Sequence, residues 1–178
     1  FHEFGHLLHH VSSTSRFRML GGMAVPWDFV ELPSQILENW AYDRTVLDGF
    51  ARHVDTNEPI PAELYEKLVR SRSFLTASAA IRQVALSLLD LTLHTGADTS
   101  AEGVHALAHR IISPRSVAPL PEPYRMLAQF NHLFASATGY AAGYYSYLWA
   151  QVLEADAFTV FERDGVLSRA CAERFRRE

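Results

Sequence analysis

A chain of 178 residues, 48% apolar and 20% charged, can bury one compact core and is too short for two comfortable domains. Its formal net charge of -4, with Lys67 the only lysine and no run of arginine that forms a basic patch, offers no electrostatic footprint for nucleic acid or an anionic membrane. The single cysteine, Cys171, excludes an internal disulfide and fits a reducing cytoplasm.

The pattern is helical from the first residue. Residues 1–11 read as a helix, followed by the polar run Ser12-Ser13-Thr14-Ser15 and a loop holding Gly21, Gly22 and Pro26. A long helix is expected over about 30–53. Pro33 is tolerable there only in a first turn, which puts the helix start near Glu31. Pro59 and Pro61 interrupt the pattern and residues 62–70 resume it. Residues 74–94 carry Ile81, Val84, Ala85, Leu88 and Leu89 at helical spacing, the expected buried face. Arg82 and Asp90 lie within this most apolar stretch, and no segment is expected to span a bilayer.

A further helix is expected over 100–112. The four prolines of residues 113–123 then mark a surface connector. Residues 124–161 follow, and Asp164-Gly165 separates them from a last helix. No repeat and no β alternation occurs, so the fold class is all-α. The chain starts on Phe1 without an initiating Met and stops within a helical pattern at Arg176-Arg177-Glu178. It reads as one catalytic-domain piece, residues 1–178, of a longer polypeptide truncated at both ends. The missing N-terminal part is then an expected partner.

The chemistry-bearing motif is His2-Glu3-Phe4-Gly5-His6, an HExxH pattern. Residues four apart share a helix face, so both imidazoles can reach one ion. Glu3 projects about 100° further round, toward a metal-activated water rather than the metal. A zinc ion with three protein ligands keeps one position open for such chemistry, and Glu3 is then the general base. The bland alternative is a helix with two partly exposed histidines and a surface glutamate. Glu31, 25 residues beyond His6 at an expected helix start, is a candidate third ligand. It competes with a reading in which Asp28 caps the helix and Glu31 completes a capping box. Glu38 lies on nearly the same face and is a candidate acceptor for a ligand imidazole. His9 is expected to pack, and His10, His53 and His94 to be structural or exposed. His105 and His109 have ligand spacing without a supporting carboxylate.

A second constellation runs through Gly139-Tyr140-Ala141-Ala142-Gly143-Tyr144-Tyr145-Ser146-Tyr147-Leu148-Trp149. Composition alone favours a packed aromatic face. Tyrosine hydroxyls near a zinc ion could also hydrogen-bond an oxyanion.

HEFGH, then FVELPSQILENW (residues 29–40), then GYAAGYYSYLW together resemble the thimet oligopeptidase family, which includes oligopeptidase A and bacterial peptidyl-dipeptidase. The resemblance implies a largely helical intracellular zinc enzyme that cuts short peptides. It selects Glu31 as third ligand over the capping box. It also maps substrate-contacting tyrosines onto Tyr140 and Tyr147, with Tyr144 as a secondary candidate, and a transition-state role onto His132; Tyr147 is the candidate oxyanion stabiliser. The loop Gly22-Met23-Ala24 is expected to pair with extended substrate. The implied cofactor is one Zn²⁺ per chain, with Co²⁺ and Mn²⁺ as substitutes in vitro. Two other outcomes stay open: a peptidyl-dipeptidase releasing C-terminal dipeptides, and a non-catalytic zinc-binding fragment.

Overall fold

A computed structural model describes residues 1–96, 100–136 and 139–177. The described residues form helices, turns and loops, with one isolated antiparallel bridge between Arg52 and Pro59. The all-α expectation holds. The chain divides into two compact units, Phe1–Phe74 with Trp149–Glu178, and Leu75–Leu148.

In the first unit, α1 (His2–Ser12) starts directly after Phe1 and buries only Gly5. Its apolar side chains Phe4, Leu7, Leu8 and Val11 are all exposed. The long helix expected over 30–53 is instead α2 (Trp27–Val30), α3 (Leu32–Glu38), a 3-10 turn over Asn39–Tyr42 and α4 (Arg44–Phe50). The break before α4 has a local cause. Asp43 is extended (φ -80°, ψ 129°), and its carboxylate accepts the Val46 N–H at 3.0 Å, an N-cap that starts a new helix. Pro33 sits in the first turn of α3, where its missing N–H loses nothing. After α5 (Ala62–Ser71) the unit resumes with most of α9 (Ser146–Asp164), then Gly165 at φ +104° and α10 (Arg169–Arg177).

The core of this unit is Ile36, Phe158, Phe161 and Cys171, with Trp40 edge-on to Phe158 and Phe161. Trp40 also donates its indole N–H to Val166 O at 2.8 Å, so the turn after α3 is anchored by both packing and a hydrogen bond. Beside it, buried Asn39 donates to Ile36 O at 3.0 Å and to Glu154 Oε2 at 2.9 Å, and accepts from Arg72. Every polar end of that amide is paired, which holds the C-terminal end of α3 in one orientation.

The second unit packs α6 (Thr76–His94) on α7 (Ala101–Ile112), which Ser100 caps through the Gly103 N–H at 3.1 Å. A short α8 (Asn131–Phe134) adds Leu133 to the core. The buried residues of α6 are Ala85, Leu86, Leu89 and Asp90, whereas Ile81, Val84 and Leu88 are exposed. The expected face is therefore corrected: the helix is apolar on both sides, so periodicity could not choose between them. Within Ala62–His94 an 18-residue window of mean hydropathy 1.3 passes, by length and composition only, as apolar enough to cross a membrane, against the expectation of no such stretch. Leu75 lies in the left-handed region at φ +55° and separates α5 from α6.

Candidate metal centre

The first unit brings three donors together. His2 and His6 project from the same face of α1, one turn apart, as the 3.6-residue period requires. Glu31 occupies the junction between α2 and α3 and is 3% exposed. Its Oε2 stands 3.3 Å from His2 Nε2 and 3.3 Å from His6 Nε2. The donor atoms of all three residues lie within 4.8 Å of one another, and no other such trio occurs among the described residues. Donors bound at about 2.0–2.1 Å to a tetrahedral zinc stand about 3.3–3.4 Å apart. Two imidazoles and one carboxylate at this spacing could hold such an ion.

The supports of the trio are unequal. Glu38 Oε1 lies 2.7 Å from His2 Nδ1. A carboxylate at that distance fixes the proton on Nδ1 and leaves the Nε2 lone pair free for a metal. His6 Nδ1, by contrast, is buried without a hydrogen-bond partner among the described residues. Glu31 is held by Ser34, fully buried, whose hydroxyl lies 2.9 Å from Glu31 O and 3.1 Å from Glu31 Oε2.

The two helices meet at Gly5. A Cβ built there would overlap Pro33 O and stand 2.5 Å from Ser34 Cα, so the helices touch backbone to backbone. Gly5 lies between the two histidines, and Pro33 and Ser34 follow Glu31 closely, so this approach sets the distance between the halves of the trio. Neither Gly5 nor Ser34 stood out in the sequence, because both act through a tertiary approach.

Glu3 is exposed on α1 and makes no hydrogen bond or ion pair among the described residues. The loop over 21–26 is also in this unit. Gly22 has φ +62°, which favours glycine, and a Cβ there would meet the His10 ring, which would have to move aside. Met23 is exposed and Ala24 N–H donates to Gly21 O at 3.3 Å. His9 stays outside the trio, edge-on to Phe29. Burial first, then the charges of His6 and His10, holds its imidazole below the usual histidine range.

The second unit gathers the aromatic candidates. His132 meets Tyr140 edge-on with ring centres 5.4 Å apart, and Tyr144 at 6.1 Å. Tyr144 in turn lies 5.1 Å from Tyr147. Burial raises the Tyr144 phenol above its ordinary value despite Arg82 and a Gln83 hydrogen bond, so it stays a proton donor throughout the neutral range.

A residue that sequence reasoning passed over organises this cluster. Asp90, 1% exposed, accepts the Ala142 N–H at 3.1 Å and the Tyr144 N–H at 2.9 Å, and its other neighbour is His94 Nδ1 at 2.9 Å. It holds a loop in which Ala142 adopts φ +55°. An acidic residue inside an apolar helix was the available signal.

His105 and His109 do not form a second trio. Glu122 approaches His109 at 3.4 Å, and both histidines, with Arg110 and Arg125, line a cavity of about 800 Å³ that contains none of the candidate residues.

Comparison with known proteins covers the full length of the chain. It matches peptidase family M3 across residues 1–178. It is 44% identical over 169 residues to organellar oligopeptidase A, chloroplastic/mitochondrial, of Arabidopsis thaliana, covering 93% of this chain and 21% of that protein. It is 42% identical over 178 residues to oligopeptidase A of Escherichia coli, covering 98% and 26%. It is 38% identical over 179 residues to the dipeptidyl carboxypeptidase of Salmonella typhimurium, covering 99% and 26%. The chain thus spans about a quarter of the length of these relatives. It belongs to peptidase family M3.

Proposed function

We propose that this chain carries the zinc-binding portion of an oligopeptidase that hydrolyses internal bonds of short peptides. The observation that carries the reading is the approach of Glu31 Oε2 to His2 Nε2 and His6 Nε2, 3.3 Å in each case. His2, His6 and Glu31 hold the ion, and Glu38 fixes the tautomer of His2. Zinc, when bound, supplies a Lewis acid that polarises a carbonyl and makes water nucleophilic near neutral pH. Glu3 takes the proton of the attacking water and passes it to the leaving amine, a role open to it because its carboxylate has no other partner among the described residues. Tyr147 and His132 donate hydrogen bonds to the developing oxyanion. Tyr140, Tyr144 and the Gly22-Met23-Ala24 loop bind the peptide.

Relatives named for cytosolic and for organellar locations support an aqueous intracellular setting. The similarity to a dipeptidyl carboxypeptidase keeps release of C-terminal dipeptides as a second reading, which product analysis on an end-blocked peptide decides. The central test is Glu3→Gln in the full polypeptide. It should retain one zinc per chain and lose nearly all peptidase activity, because an amide cannot accept the water's proton. A Glu3→Gln protein that still turns over peptide at the wild-type rate removes Glu3 from the chemistry.

A further inference from the structure

We infer that Ser34 is a positioning residue for the metal: its hydroxyl orients the Glu31 carboxylate toward the two imidazoles. The inference rests on the reading of His2, His6 and Glu31 as the ligand set.

Glu31 is an awkward ligand on backbone grounds. It sits in a junction between a four-residue helix and a seven-residue helix, and no side chain caps the start of α3. Unlike the two histidines, which share one helix face, it stands at a helix start, where its carbonyl accepts the Gln35 N–H at 2.9 Å but its side chain shares no face with another ligand. A buried carboxylate on a flexible stem can rotate about its last torsion at little cost. Ser34 removes that freedom. Its Oγ lies 3.1 Å from Oε2, the oxygen that also stands 3.3 Å from each imidazole. A carboxylate oxygen has two lone pairs, and a hydrogen bond to one leaves the other directed elsewhere. The serine is itself immobile: it is fully buried, and its backbone is pressed against that of Gly5 in α1. The hydroxyl, the carboxylate and the histidine-bearing helix are therefore fixed against a single point.

The competing role is local. The same hydroxyl lies 2.9 Å from Glu31 O, a serine-to-backbone bond within one turn that would serve the helix alone. The two roles separate experimentally, because the backbone bond concerns stability and the carboxylate bond concerns the metal.

The test compares wild type, Ser34→Ala and Ser146→Ala in the full polypeptide, with Co²⁺ as the probe. Ser146 is an equally buried serine whose hydroxyl has no partner among the described residues, so it controls for loss of a buried hydroxyl. Co²⁺ affinity is measured by competition with a chromophoric chelator, the visible Co²⁺ absorption reports ligand geometry, and the melting temperature of the metal-free protein reports structure. Ser34→Ala is expected to weaken Co²⁺ binding about tenfold and to alter the visible spectrum, while Ser146→Ala leaves both unchanged. If Ser34→Ala lowers only the melting temperature and keeps wild-type affinity and spectrum, the backbone role is the true one and the inference is overturned. If wild type itself binds no Co²⁺, the ligand set is wrong and the inference goes with it.

Discussion

Gly5→Ala tests whether the backbone approach between α1 and α3 governs the metal site. Helix propensity alone favours the change, since alanine in a helix interior is worth about 1 kcal/mol over glycine. Packing opposes it. The new Cβ would overlap Pro33 O and lie 2.5 Å from Ser34 Cα and 3.0 Å from Pro33 C. Carbon contacts are optimal at about 3.5–4.0 Å, so relief requires the helices to part by about 1 Å. Overpacking of this kind costs roughly 1–3 kcal/mol, leaving a net loss of up to about 2 kcal/mol after the propensity gain. The effect on the metal is larger than that on the fold. Ligand distances must hold within about 0.2 Å, and a separation of about 1 Å is several times that tolerance. Metal affinity in Gly5→Ala should therefore fall at least tenfold, read by chelator competition, with a modest drop in the melting temperature of the metal-free protein. Gly49→Ala in α4 is the counterpart, because a Cβ there meets nothing within 4 Å. It should be neutral or stabilising, by up to about 1 kcal/mol, with metal binding unaffected. A Gly5→Ala protein that behaves like Gly49→Ala would refute the packing argument.

Three further outcomes are expected. Asp90→Ala leaves the Ala142 and Tyr144 N–H groups unpaired in a buried setting and should cost roughly 2–4 kcal/mol in urea unfolding; a change under about 0.5 kcal/mol would show that the loop holds itself. Burial raises the Glu154 pKa, against an Asn39 hydrogen bond and the charge of Arg72, so its share of stability is full below the ordinary value of 4.5 and is lost as pH rises through the raised one. Glu154→Gln should consequently melt higher than wild type at pH 7, with the difference closing toward pH 4.5, and a lower melting temperature at pH 7 would contradict this. Tyr147→Phe should lower kcat and kcat/KM together, by about 10²–10³-fold for loss of an oxyanion donor, whereas an effect on KM alone would make the residue a ground-state contact.

The parts of this molecule legible in its sequence are those set by local periodicity. The pair His2 and His6 follows from a four-residue step on a helix, and the all-α class from the absence of period-two alternation. What escaped depends on where distant segments meet. Nothing around Gly5 announces that Pro33 and Ser34 will lie against it, and nothing around Asp90 that two N–H groups more than fifty positions away will point at it. The single helix expected over 30–53 failed for a more instructive reason, since Asp43 carried a readable N-cap signal that the continuous apolar pattern masked. The exposed face of α6 shows the limit from the other side: where both faces of a helix are apolar, period cannot say which one is covered.

Asp90 also bears on the order in which the second unit assembles. Its bonds to Ala142 and Tyr144 close separations of 52 and 54 residues. Closing such a stretch costs on the order of 3–4 kcal/mol in chain entropy before any contact offsets it. The loop of Tyr140 to Tyr144 finds this carboxylate in place only once α6 has formed, and Tyr144 is tied to the same helix again through Gln83. On this loop-closure argument α6 is expected to form early and the tyrosines to be set late, as a dependent event. A substitution that slows or softens the core around Leu86, Leu89 and Leu133 would reach the aromatic residues through timing, delaying the moment at which they acquire a fixed place.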